Sequence, residues 1–227
     1  MAHPDDEVLG LGATIHMLGE TYGCTIRAVI LGEGITSRAE TGDPAEWGEE
    51  LKNHRKNIGS SCEKVGYDSV GIYDFPDNRF DSVDLLDIVK TIEKEQQDFG
   101  PEFVFTHHGG DTNIDHQKTF ESVIVANRPL PGNKVQGIFT FETPSSTEWQ
   151  APNHPNSYRP NFYVEVSEDN LGAKIAAMES YQYERRSYPH PRSPEALTIL
   201  CQRNGIVIGA KLAETFTVIR LVARNQS

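Results

Sequence analysis

Short apolar runs alternate along the chain with longer stretches of helical spacing. CTIRAVIL (24–31) is apolar and β-branched, as a buried strand requires. AEWGEELKNHRKNIGSSCEKVG (45–66) sets Trp47, Leu51, Ile58, Cys62 and Val65 at helical spacing, with Gly66 at the stop. SVGIYD (69–74) predicts another strand, and SVDLLDIVKTIEKEQQ (82–97) a helix whose Ser and early acids suit its N-terminus. EFVFTH (102–107) reads as a strand, DHQKTFESVIVANRP (115–129) as a helix ended by Pro129, and GIFTFE (137–142) as a strand. Residues 143–161 are rich in Pro, Asn and Ser and predict a long loop. A strand at 162–166, helices at 170–186 and 194–204 and a strand at 214–222 complete the chain, and VLGLGATIHML (8–18) opens it with a helical pattern. This alternation predicts an α/β fold of Rossmann-like type, a mostly parallel sheet flanked by helices. No repeat, linker or composition shift divides residues 1–227, so one domain is expected.

Composition narrows the functions. A formal charge of -12 disfavours nucleic acid and anionic membranes as partners. No apolar run approaches the roughly 20 residues of a membrane helix, and no secretory leader is visible, so no membrane insertion is expected. Cys24, Cys62 and Cys201 are odd in number and form no CxxC pair, which suits a reduced, cytoplasmic setting. A small neutral or metal-bridged substrate fits this chain best.

In parallel α/β sheets, ligands bind in loops that leave the carboxyl ends of strands. Two loops carry unusual chemistry. AHPDDE (2–7) offers His3, Asp5, Asp6 and Glu7 ahead of the first helix; THHGGDTNIDH (106–116) holds His107, His108, Asp111, Asp115 and His116 with two glycines between. Two imidazoles and one carboxylate with open positions suit zinc holding a water, and a separate carboxylate can move that water's proton. Each loop alone also reads as an ordinary polar turn. LGLGAT (9–14) lacks the GxGxxG of a dinucleotide site, and no GxSxG marks a serine nucleophile.

AHPDDE, an arginine-bearing helix, and a strand leading to DxNxDH together resemble the PIG-L/LmbE-like family of zinc-dependent N-deacetylases, in a bacterial branch that also carries FPDNRFD (75–81), PSSTEW (144–149) and PHPRSPEAL (189–197). The resemblance implies Zn2+, one per chain with other divalent transition metals able to substitute, on His3, Asp6 and His116. It implies Asp5 as general base and Asp115 as a supporting acid. Arg55 resembles the substrate-binding arginine, His190 and Arg192 lie in a segment that resembles one near the mouth of the site, and Arg38, which follows a strand, lines the carboxyl edge; all are expected to contact substrate. Where better-studied members carry a histidine that polarises the substrate carbonyl, this chain has Asn113, leaving Asn113 or His108 for that task and His107 as structural. The substrate class implied is an N-acetylated amino sugar or conjugate, the product acetate, and the assembly a trimer or hexamer. A non-catalytic metal or sugar-binding module and a magnesium-dependent phosphohydrolase are the alternatives. In the family a hydrophobic strand precedes HPDD; here Met1 and Ala2 alone stand before His3, so the first strand is expected to be truncated, with His3 weakly anchored and stability or metal affinity below that of an extended chain.

Overall fold

The structure is a computed structural model that describes residues 1–38 and 47–223, Arg38 by its backbone alone. Residues 45 and 46 of the predicted second helix lie outside that range. The elements are α1 (Asp6–Tyr22), β1 (Arg27–Gly32), α2 (Gly48–Val65), β2 (Ser69–Phe75), α3 (Leu85–Phe99), β3 (Phe103–His107), α4 (Ile114–Ala126), β4 (Gly137–Phe141), β5 (Phe162–Glu165), α5 (Glu168–Ser180), α6 (Pro194–Ile208) and β6 (Ala213–Leu221). The described residues fold into two compact units, one within 1–78 and 163–214, the other of 79–162 and 215–223. The α/β, Rossmann-like class is as expected, and each predicted strand has its counterpart.

In the first unit β1 and β2 pair in parallel, Arg27 opposite Ser69 and Ile30 opposite Ile72. Val29 and Ile30 in β1 and Val70 and Ile72 in β2 are β-branched, as suits a pleated, half-buried surface. Met1 and Ala2 also bond along β1: the carbonyls of Met1 and Ala2 accept from the amides of Leu31 (2.9 Å) and Gly32 (2.7 Å). The two residues before His3 therefore carry backbone pairing to β1, although no strand is assigned to them. α1, α2 and α5 pack together, and Ala13, Val166, Leu171, Cys201 and Leu212 form a buried cluster beside them.

In the second unit β3 pairs in parallel with β4 and β4 pairs antiparallel with β6, so this sheet is mixed rather than mostly parallel. Phe105 stacks on Phe139 at 5.1 Å and meets Phe216 edge-on at 5.4 Å, giving this unit an aromatic core. α4 lies against β3 and α3.

The helix predicted over 170–186 ends at Ser180. Tyr181 leaves the helix at φ -81°, ψ 75°, and its buried hydroxyl donates to the Glu7 carboxylate at 2.5 Å. A tertiary hydrogen bond there outweighs the helical tendency of the following residues.

Candidate metal centre

The candidate residues of the first unit begin at a strained residue. Asp5, at the N-cap of α1, has φ 97°, a left-handed conformation costing an L-residue about 1–2 kcal/mol. Local bonds hold it there. Its carbonyl accepts from Val8 and Leu9, and its amide donates to Glu7 Oε2 at 3.0 Å. Its buried carboxylate meets Arg192 Nη1 at 3.0 Å, and the same guanidinium nitrogen pairs with the buried Glu184. Burial drives the Asp5 carboxyl well above the usual range, Arg192 pulls it down, and the neighbouring Glu184, Asp6 and Glu7 push it up further. Burial likewise pushes Glu7 to about 7, against the stabilising bond from Tyr181.

Asp6 points its carboxylate another way. Its Oδ2 accepts the His3 amide at 2.7 Å and lies 3.7 Å from His3 Nδ1. His3 Nε2 is 3.3 Å from Oδ1 of Asp77, whose Oδ2 accepts the Ser37 amide at 2.9 Å. His3, Asp6 and Asp77 are all buried. Gly34 makes this packing possible: at φ 78° a side chain would be strained, and its Cβ would stand 2.9 Å from Pro4 Cδ and 3.0 Å from His3 Cβ.

The candidate residues of the second unit are built around Asp111, which is fully buried. It accepts from the Ser146 hydroxyl, from Thr147 Oγ1 (2.5 Å) and from the Asn113 amide (2.8 Å), and lies 3.2 Å from His116 Nδ1. Burial alone would raise its pKa; the bonds and charge from His116 and the two hydroxyls outweigh that and bring it to about 2. With Nδ1 on Asp111, Nε2 is the ligand atom His116 has to offer. The imidazole stacks on His107 at 3.9 Å, and His107 Nδ1 in turn lies 3.1 Å from the Thr143 hydroxyl.

Asn113 caps α4: its Oδ1 accepts the Asp115 amide at 2.8 Å, which leaves the side-chain NH2 as a donor. Asp115 is buried and accepts the Phe80 amide at 2.9 Å, holding the turn after FPDN. His108 Nε2 donates to the Asn156 carbonyl at 2.6 Å, so Nδ1 of a neutral ring can only accept. The loop is tight at Gly110, where a Cβ would lie 1.9 Å from the Asn156 carbonyl oxygen. Gly110→Ala is therefore expected to cost about 1–3 kcal/mol or more, read as a fall in the urea midpoint at constant slope.

Arg55, on α2, is an exposed arginine paired with Asp74 at 2.5 Å. The Arg38 side chain lies outside the described residues. His190 is half-buried and its Nδ1 accepts the Arg192 amide; burial, then Arg192 and Arg186, lower its pKa. Arg192 is occupied by two carboxylates, Asp5 and Glu184. Sequence reasoning gave no role to Asp77, Glu184, Ser146 or Thr147. Asp77 could have been found, since it too follows the carboxyl end of a strand.

The family model for GlcNAc-PI de-N-acetylases, PIG-L, matches residues 1–127, more than half of the chain. The chain belongs to the PIG-L family. It is accordingly a deacetylase, a hydrolase of amide carbon–nitrogen bonds. It is 29% identical over 185 residues to YaiS, an uncharacterized deacetylase of Escherichia coli (strain K12), covering 80% of this chain and 87% of that one. The fold matches N,N'-diacetylchitobiose deacetylase from Pyrococcus horikoshii with a TM-score of 0.70 at 20% identity, over 96% of this chain and 81% of that chain. It matches the zinc-inhibited form of teicoplanin deacetylase Orf2 with a TM-score of 0.73 at 15% identity, over 100% and 98%. Among the described residues no helix is long and apolar enough to cross a membrane.

Proposed function

We propose that residues 1–227 act as one zinc-dependent N-deacetylase domain that removes acetyl from an amino sugar or sugar conjugate of N-acetylglucosamine type, releasing acetate. The observation that carries this reading is the separation of two adjacent carboxylates. Asp6 is tied to the His3 amide, while Asp5, one residue earlier, is swung by its left-handed backbone onto Arg192. One acid is thus dressed as a ligand and its neighbour as a proton carrier.

His3, Asp6 and His116 would hold the metal; imidazole and carboxylate donors with Asp111 behind His116 fit zinc. When bound, zinc supplies Lewis acidity toward the acetyl carbonyl and brings the pKa of a water to roughly 7. Asp5 takes the proton of the attacking water as the new carbon–oxygen bond forms. It then returns that proton to the sugar nitrogen as the carbon–nitrogen bond breaks. A buried carboxyl with a raised pKa is suited to both halves of this exchange. Arg192, which pairs with Asp5 and Glu184, keeps Asp5 oriented, beside the substrate contact that the resemblance implies for it.

The Asn113 side-chain NH2 donates to the developing oxyanion; His108 is a weaker candidate because its proton is committed to the Asn156 carbonyl. Asp115 supports the site by holding the Phe80 turn. Arg55, Arg38 and His190 contact substrate. The enzyme works in the cytoplasm, as its three cysteines with no CxxC pair suggest, and as a trimer or hexamer, as the family implies.

A panel of N-acetylated sugars, read by free amine after zinc loading, tests the reading. Amine release from at least one hexosamine is expected, and a chelator should abolish it. Zinc uptake with no release across the panel would favour a binding module.

A further inference from the structure

α1 is two helices joined at a break. Leu11 sits at φ -150°, ψ 18°, outside the helical region, in the middle of an otherwise regular element. The buried pair Lys174 and Glu214, from α5 and β6, meets α1 there, Nζ to Oε1 at 2.5 Å. Lys174 Nζ donates to the Leu9 carbonyl at 2.8 Å, and Glu214 accepts from the amides of Ala13 (3.2 Å) and Thr14 (2.7 Å). Leu9 C=O and Ala13 N–H are the two groups an unbroken helix would join directly. Each is instead engaged by one member of the ion pair. Gly12 leaves room for it: a Cβ there would lie 3.1 Å from Lys174 Cγ.

A side chain inserted into the helical ladder bends a helix, and this break leaves a short first segment carrying Asp5, Asp6 and Glu7. Replacing a buried ion pair by apolar residues is often neutral or stabilising, so stability alone gives little reason to keep one here. We propose that Lys174 and Glu214 are positioning residues for this site, their inserted pair setting the direction of the first segment of α1 and with it the carboxylates of Asp5 and Asp6. The inference rests on the deacetylase reading for its effect on turnover, and on geometry for the rest.

The test compares wild type with the double variant Lys174→Met/Glu214→Leu, which removes both polar ends while keeping apolar bulk, and with Glu214→Gln, which keeps an acceptor for Thr14. The double variant is expected to stay folded, with first-segment amides exchanging with deuterium at least about tenfold faster than in wild type. Zinc affinity, read by competition with a chromogenic chelator, should fall by about tenfold or more. The kcat should fall by about 10–100-fold with KM little changed, because a displaced base costs turnover rather than substrate affinity. Glu214→Gln should show the same changes, smaller.

Wild-type exchange, zinc affinity and kcat in a folded double variant would overturn the inference, since a merely structural pair moves none of them. If the double variant fails to fold, Glu214→Gln decides alone: faster exchange and weaker zinc binding support the inference, and unchanged values overturn it. Wild-type protein that neither takes up zinc nor releases amine would instead sink the deacetylase reading, while the exchange comparison still judges the positioning.

Discussion

Asp5→Asn is expected to lower kcat by about 10²–10⁴-fold, the usual contribution of a positioned general base, while the protein still takes up one zinc per chain. The amide is nearly isosteric with the carboxylate but cannot accept the proton of water. The variant should fold, for two reasons visible at the site. Asparagine tolerates the left-handed conformation that residue 5 adopts better than most residues do. Arg192 keeps Glu184 as a buried counter-charge when the Asp5 carboxylate is lost. Steady-state kinetics beside metal analysis checks the result, with KM changing little. Turnover within tenfold of wild type would remove Asp5 from the role of base.

Asp111→Ala is expected to have the largest effect on stability, roughly 3–5 kcal/mol, in line with removing one partner of a buried charged network. The carboxylate satisfies two hydroxyls, the Asn113 amide and His116 together, so its loss strands several buried groups at once. A thermal midpoint lower by roughly 10 °C would correspond to that loss in a chain of this size. Zinc affinity should fall by about 10–100-fold, because His116 loses the partner that orients its ring. Thr147→Val, which removes one of these donors, should lower the melting temperature far less. Equal melting temperatures and zinc affinities for Asp111→Ala and wild type would mean that His116 is held by something else.

Much of the fold was legible because strands and helices in this chain differ sharply in period. CTIRAVIL and EFVFTH are short, apolar and β-branched or aromatic, and they form β1 and β3 within a few residues of the expected bounds. What was not legible depends on partners distant in sequence. Nothing near Tyr181 announces that its hydroxyl belongs to Glu7, and without that bond the helical pattern of α5 runs on. The break in α1 is hidden the same way, since its cause is a lysine and a glutamate more than 160 and 200 residues away. In the candidate site, residue types and loops could be read directly, because metal and proton chemistry need His and Asp at strand ends. The orienting partners of Asp111 could not, because Thr147 and Ser146 are ordinary residues until the fold brings them to Asp111, and Arg192, though singled out in the sequence, gave no sign that it pairs with Asp5.

The most direct test of the metal site is diffraction from zinc-loaded crystals at energies on either side of the zinc edge. One anomalous peak per chain, with His3, Asp6 and His116 as its protein ligands at about 2.0–2.2 Å, is the expected result. A peak elsewhere, or zinc held without His116, would contradict the assignment.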